Sequence, residues 1–254
     1  VMNEITNMAM DGDRFHRPMS LVGSWIDYQG SLLSIDPAGR GRDETGYAVT
    51  KMLNGQLFVV ASGGFLDGYG PDTLKALAGI ARDHKVAKVE IEANFGDGMF
   101  TALLSPVLAT LDNGPGKPKG YAVTLEEVKH SKQKELRIAD TLEPVLKSHR
   151  LIFDPRMIEA DYRSIQQYPA EIQHQYALIH QLTRLTRERG ALAHDDRLDA
   201  LALGVAYWVE QMSKDVDEAV KDRKQELLDR ALEDFMDQVV GGKPKLDVWT
   251  PLMR

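Results

Sequence analysis

The period of the apolar positions changes along the chain, and the changes mark out its elements. Ser31-Leu-Leu-Ser-Ile-Asp36 is a short apolar run that ends in a carboxylate, and Thr45–Leu53 and Gln56–Ala61 are two further strand-like runs. Asn54-Gly55 between the last two is a two-residue hairpin signal, since both types tolerate the positive φ such a turn needs. Three antiparallel strands are therefore predicted to open the domain. The period then turns helical over 71–84, where Leu74, Leu77, Ala78 and Ala81 share a face and Pro71 suits a first turn. Residues 86–92 alternate like a strand and carry Glu90 and Glu92 on one face, opposite Val89 and Ile91. Helix is expected over 98–111 despite Pro106, a loop over 112–118 and a short strand over 121–124. A helix over 131–149 would turn Leu136, Ala139, Leu142 and Leu146 to one side. Strand at 151–153 and helix at 157–167 follow, and 176–186 is open between the two states.

From Asp195 onward, Leu198, Leu201, Ala202, Val205, Trp208 and Val209 fall on one helical face. A separate polar helix is expected over about 213–240, ended by Gly241-Gly242, with an apolar tail over 243–254. Residues 1–28 show no clean period and read as a linker or tail. A strand meander followed by alternating helix and strand predicts an α/β domain over 29–212, with a mixed sheet flanked by helices. Residues 213–254 then form a C-terminal helix and tail.

Composition narrows the chemistry. The 254 residues are 43% hydrophobic, enough for a substantial core. There is no cysteine, which excludes disulfides, zinc–cysteine sites and a thiol nucleophile. No apolar run reaches the roughly 18 residues of a membrane span. The net charge of −7 argues against attraction of nucleic acid by the whole surface. Charge is unevenly spread, however. Lys129, Lys132, Lys134 and Arg137 gather at a helix start, where phosphates are favoured. Arg184 and Arg187 form a second candidate track.

Three sets of carboxylates stand out. Asp36 ends an apolar strand, a costly place for a charge unless it is compensated. Glu92 ends the fourth strand, at the sheet end where sites collect in open α/β folds. Asp195-Asp196 head a late helix, with Asp199 a turn further on and His194 just before. Each has an ordinary alternative as a turn residue, a solvent-facing acid or a helix cap. Folded as one sheet with a helix across its face, the three can converge. Converging carboxylates repel unless a hard cation such as Mg²⁺ or Mn²⁺ neutralises them. Two such ions about 4 Å apart activate water and stabilise the leaving oxygen of a phosphodiester.

Ser34-Ile-Asp-Pro-Ala-Gly-Arg-Gly-Arg-Asp-Glu-Thr-Gly46, Val89-Glu-Ile-Glu-Ala-Asn-Phe-Gly96 and His194-Asp-Asp-Arg-Leu-Asp-Ala-Leu201 occur in that order. With these motifs the chain resembles the nuclease domain of the large terminase subunit of tailed double-stranded DNA phages, closest to the podophage type. The resemblance implies a ribonuclease-H-like fold and two-metal cleavage of concatemeric double-stranded DNA during genome packaging. By motif, Asp36 is implied as first metal ligand, Glu92 as second, and Asp196 or Asp195 as third, with Asp199 and His194 auxiliary. Glu90 matches no catalytic position. Implied partners are double-stranded DNA, the terminase ATPase domain, the portal protein and the small terminase subunit, in the cytoplasm of the infected host. No Gly-x-x-x-x-Gly-Lys-Ser/Thr loop is present, so the chain is expected to cut DNA without hydrolysing ATP. Its start at Val1 reads as a domain excised from a longer protein. The apolar tail is a candidate contact with the portal ring.

Alternatives stay open. A Holliday-junction resolvase or transposase would keep the site and change the substrate. An actin-like phosphotransferase needs a second Gly-rich loop, which is not seen. In a non-enzymatic docking module the acids would be structural.

Overall fold

A computed structural model describes residues 2–5, 15–18, 20, 23–38, 43–93, 98–130 and 132–239. Two short strands, β1 (Met2–Ile5) and β2 (Phe15–Pro18), pair antiparallel within the segment expected to be a tail. Four residues per strand are too few for a side-chain period to announce them. The apolar tail and the glycine pair before it lie outside the described residues.

The main sheet begins with the expected meander. β3 (Gly30–Asp36), β4 (Thr45–Leu53) and β5 (Gln56–Phe65) run antiparallel, joined at Asn54-Gly55, where both residues adopt positive φ. Helix α1 (Pro71–Asp83) leads to β6 (Lys88–Glu92), which lies parallel to β3. Helix α2 (Met99–Thr110) leads to β7 (Thr124–Val128), parallel to β6 and three residues later than the sequence suggests. After α3 (Lys134–Lys147), β8 (Leu151–Phe153) joins β5 in parallel. The strand order is β7-β6-β3-β4-β5-β8, the mixed sheet of a ribonuclease-H-like fold. Helices α4 (Pro155–Ser164) and α5 (Leu178–Arg184) follow. Helix α6 (Asp196–Val239) is one continuous helix where two were expected.

Side-chain alternation assigns the two faces of the sheet. Leu33 and Ile35 of β3, Val49 of β4 and Val89 and Ile91 of β6 share a buried cluster with Leu74, Leu77, Ala78, Ala81, Phe100, Leu104 and Leu108 of α1 and α2. Full burial of each such aliphatic chain stabilises by roughly 1.5–3 kcal/mol. Leu32, Ser34 and Asp36 therefore face the other way, toward the first turns of α6. There Gly204 brings the helix close: an added Cβ would sit 2.8 Å from Ser34 Oγ and 3.1 Å from Thr50 Oγ1. Trp208 donates its indole N–H to Thr50 Oγ1 at 2.8 Å. Residues 196–205 are consequently buried on all sides, while Val209, placed on the inner face by sequence, is exposed.

The buried stripe of α3 is Ile138, Leu142 and Val145, whereas Leu136 and Leu146 are exposed. The two possible stripes share Leu142, so apolar spacing alone does not select between them. The chain divides into two compact units, residues 1–209 and 210–254. In the second unit the described residues are helical, with Leu227 and Leu228 exposed and Lys214 paired with Glu210 at 2.7 Å. No helix among the described residues is long and apolar enough to cross a membrane.

Candidate metal centre

Sheet register brings the first two acids together. β3 and β6 are parallel neighbours with Ile35 opposite Ile91, so Asp36 and Glu92 end adjacent strands on the same face. That face is the one covered by α6. Asp36 is also paired across β4 with Gly46. A side chain on Gly46 would overlap the Asp196 carbonyl, so glycine there lets the start of α6 reach the end of β3.

The acid that completes the group is Asp199. Asp36, Glu92 and Asp199 are all buried, and one carboxylate oxygen from each lies within 4.8 Å of the others. Asp199 stands in the first turn of α6, where its backbone N–H donates to the Asp195 carbonyl at 2.8 Å. Asp195 faces the same cluster from its edge. Asp196 turns elsewhere: its Oδ2 accepts the Glu44 backbone N–H at 3.3 Å, and it forms a second group of closely spaced ligand atoms with Asp43 and His194. His194 stacks on Tyr176 with ring centroids 4.0 Å apart. Glu90 is buried on the same face of β6 as Glu92, opposite Ser34, rather than on a solvent edge.

Two residues expected to contact DNA lie inside the acidic cluster. Lys134 Nζ is 2.9 Å from Asp195, 3.0 Å from Asp199 and 3.5 Å from Asp36. Arg137 Nη2 is 2.6 Å from Asp199 and 3.3 Å from Glu92. Their spacing of three along α3 places both on the face next to the Ile138 stripe. Lys129 and Lys132 lie between β7 and α3, just beyond the strand ends that carry the acids. Arg184 closes α5. Arg187 pairs with Asp140 at 2.7 Å and Glu143 at 2.8 Å on the outside of α3.

The electrostatics follow from crowding charge in a dry place. Burial, and then the neighbouring Asp199, hold the Asp36 carboxyl well above its ordinary range, against the pull of Lys134. Burial also raises Asp199, again opposed by Lys134. Asp196 is pushed up to about 7 by burial, with Asp195 and Asp43 adding to it and Lys134 opposing. Burial works against the charge on Lys134, but Asp36, Asp199 and Asp195 together outweigh it and raise that pKa.

A second buried network fixes the start of α6, and sequence reasoning missed it. Arg197 is fully buried. It grips Glu44 through two N–H groups at 2.8 Å each, and donates to Asp161 at 2.8 Å and Ser164 at 2.7 Å. The Tyr168 hydroxyl donates to the same Glu44, and Asp161 accepts the Leu178 N–H at 2.9 Å. Gln181 takes the free Leu198 N–H of the helix start at 3.0 Å. The available signal was an arginine between two aspartates in a helix otherwise apolar on its inner face.

The chain is similar to several known proteins. A family model described as the ribonuclease-H-like domain of the bacteriophage T7 terminase matches residues 35–151. The large terminase subunit of Enterobacteria phage T3 is 44% identical over 237 residues, which are 93% of this chain and 38% of that protein. The chain thus spans about two fifths of that relative's length. Among solved structures, the manganese-soaked, inhibitor-bound terminase nuclease domain of human cytomegalovirus is similar with a TM-score of 0.47 and 14% identity, over 71% of this chain and 84% of that one. A variant nuclease domain of the large terminase subunit of bacterial virus Sf6, with manganese and β-thujaplicinol, gives 0.47 and 12%, over 71% and 90%.

Proposed function

We propose, for a chain that belongs to the ribonuclease-H-like domain family of phage large terminase subunits, that it cuts double-stranded DNA by metal-dependent phosphodiester hydrolysis. The observation that carries this reading is the convergence of buried Asp36, Glu92 and Asp199 from two strands and a helix. The donor set suits a hard cation: it is all carboxylate oxygen, which favours Mg²⁺ or Mn²⁺ over softer metals. Asp199 Oδ2 is buried and already meets a cation, the Lys134 ammonium at 3.0 Å.

Asp36, Glu92 and Asp199 would hold the metal, with Asp195 and Asp196 available to a second ion. Bound there, the metal supplies a nucleophilic water and charge stabilisation at the phosphorus. The protein's own residues do the rest. The adjacent strand ends fix the spacing of Asp36 and Glu92. Arg137 Nη2 links Glu92 and Asp199, and the Arg197 network holds the α6 start against the sheet. Lys129 and Lys132 would meet the phosphate backbone, contacts that position DNA without reading sequence. In the intact protein, the substrate would be concatemeric DNA. The ATPase domain, portal protein and small terminase subunit would be its partners in genome packaging.

The direct experiment is nicking of supercoiled plasmid by the purified chain in Mg²⁺ or Mn²⁺. Cutting is expected, chelation should stop it, and Asp36→Ala should abolish it while the circular dichroism spectrum stays unchanged. Persistent nicking by the folded Asp36→Ala protein contradicts the assignment. A strong preference for four-way junctions over linear duplex would redirect the substrate to recombination intermediates.

A further inference from the structure

We propose that Lys134 is a built-in counter-cation that a divalent metal ion displaces on entering the site, so that this lysine lowers the affinity with which the chain takes up metal. The inference rests on the metal-dependent reading above and adds a competitor to it. The Lys134 ammonium touches carboxylates from three separate segments: the end of β3, the residue before α6, and the first turn of α6. Two of these carboxylates, Asp36 and Asp199, belong to the converging group. The ammonium therefore sits where a small cation between those residues would sit. Both cannot share the oxygens without repulsion, and at contact distance that repulsion is large in a site partly shielded from water.

The two basic residues of α3 differ in a way that selects Lys134 for this role. Arg137 is almost enclosed, with 11% of its side chain exposed, and its Nη2 bridges Glu92 and Asp199. Lys134 keeps 37% of its side chain exposed. It occupies the first residue of α3, and its flexible stem carries a single point charge. Arg137 is thus built to stay, whereas Lys134 has an open route to solvent. The charge balance agrees: Lys134 and Arg137 bring two positive charges to four carboxylates, Asp36, Glu92, Asp195 and Asp199, and so neutralise at most half of their charge.

The sign of one substitution separates competition from support. If Lys134 merely props the carboxylates in position, removing it weakens metal binding. If it competes, removing it tightens binding. Titration of MnCl₂ into the whole chain by calorimetry reads this directly, without any cleavage assay. Lys134→Met should bind Mn²⁺ roughly ten-fold or more tightly than the wild type. Lys134→Arg, which keeps the charge, should stay near the wild-type affinity. Should Lys134→Met fail to fold, Lys134→Gln, which keeps a polar head group, is read in the same way. Unchanged or weaker Mn²⁺ binding in the neutral variant, with the wild type binding normally, overturns the competition. Absence of Mn²⁺ binding in the wild type and every variant overturns the metal-dependent reading itself, and the competition with it.

Discussion

Asp199 donates its backbone N–H to the Asp195 carbonyl, so the two aspartates stand one helical turn apart and look into one cluster. They differ in depth. The Asp199 side chain is 1% exposed and that of Asp195 25%, and only Asp199 joins Asp36 and Glu92 in a single close group. Asp199→Asn should abolish Mn²⁺ binding and nicking. Asp195→Asn should lower Mn²⁺ affinity by roughly ten-fold, the scale of an outer-shell change. The reverse ranking in calorimetry would move the principal ligand from Asp199 to Asp195.

Arg197 and Glu44 make a fully buried, doubly hydrogen-bonded pair. Removing one partner leaves the other charged with no solvent to receive it. Arg197→Met is expected to cost about 3–5 kcal/mol in urea denaturation. Arg197→Met combined with Glu44→Gln should cost clearly less than the sum of the two changes, because Glu44 no longer carries an orphaned charge, while Asp161 loses its partner in the single and the double variant alike. Strict additivity would mean that the pair is not coupled.

Gly46 is where β4 meets the backbone of α6. Ala at this position must push the Asp196 carbonyl away, since backbone has no rotamer with which to yield. Gly46→Ala should destabilise by about 1–3 kcal/mol. It should also weaken Mn²⁺ binding, because the displaced segment carries Asp199. A folded variant with wild-type Mn²⁺ affinity would show that the close approach plays no part in building the site.

Much of this arrangement was legible in the sequence. The Asn54-Gly55 turn, the short apolar run of β3, the alternation of β6 and the acids at their ends give the meander and two corners of the candidate site. The third corner was harder. Asp195, Asp196 and Asp199 all suit a helix start, and only the rotation of α6 against the sheet makes Asp199 point at Asp36. That rotation is set by Gly46, Gly204 and Arg197, which meet Asp196, Ser34 and Glu44 respectively, each more than a hundred residues away in the chain. Lys134 and Arg137 posed the same difficulty. A basic helix start suits DNA phosphates as well as buried carboxylates, and which it faces depends on packing. The phase of α3 was misread because Leu142 belongs to two overlapping stripes, and the continuity of α6 because its polar half lacks the apolar face that marks its first turns.

The raised carboxyls give a pH dependence with a definite sign. Asp196 titrates at about 7 in the folded chain against an ordinary 3.8, and Asp36 and Asp199 shift in the same direction. Between those values the folded state binds more protons than the unfolded state. Stability therefore falls as pH rises through that window. Burial lowers His84, His130 and His180 below the ordinary 6.5 and gives them the opposite sign, so the carboxyls are read above that value. In chelator, the melting temperature should fall as pH rises from about 6.5 to 8, Asp196→Asn should reduce the fall, and Mn²⁺ should restore stability at pH 8. A metal-free chain that grows more stable over that range would contradict this electrostatic picture.

The most direct test of the site is anomalous scattering from crystals of the chain soaked in Mn²⁺. The account predicts a manganese peak within bonding distance of Asp36, Glu92 and Asp199, with the Lys134 ammonium moved away from it. Strong manganese peaks found only elsewhere, with the three carboxylates still held by Lys134 and Arg137, would contradict it.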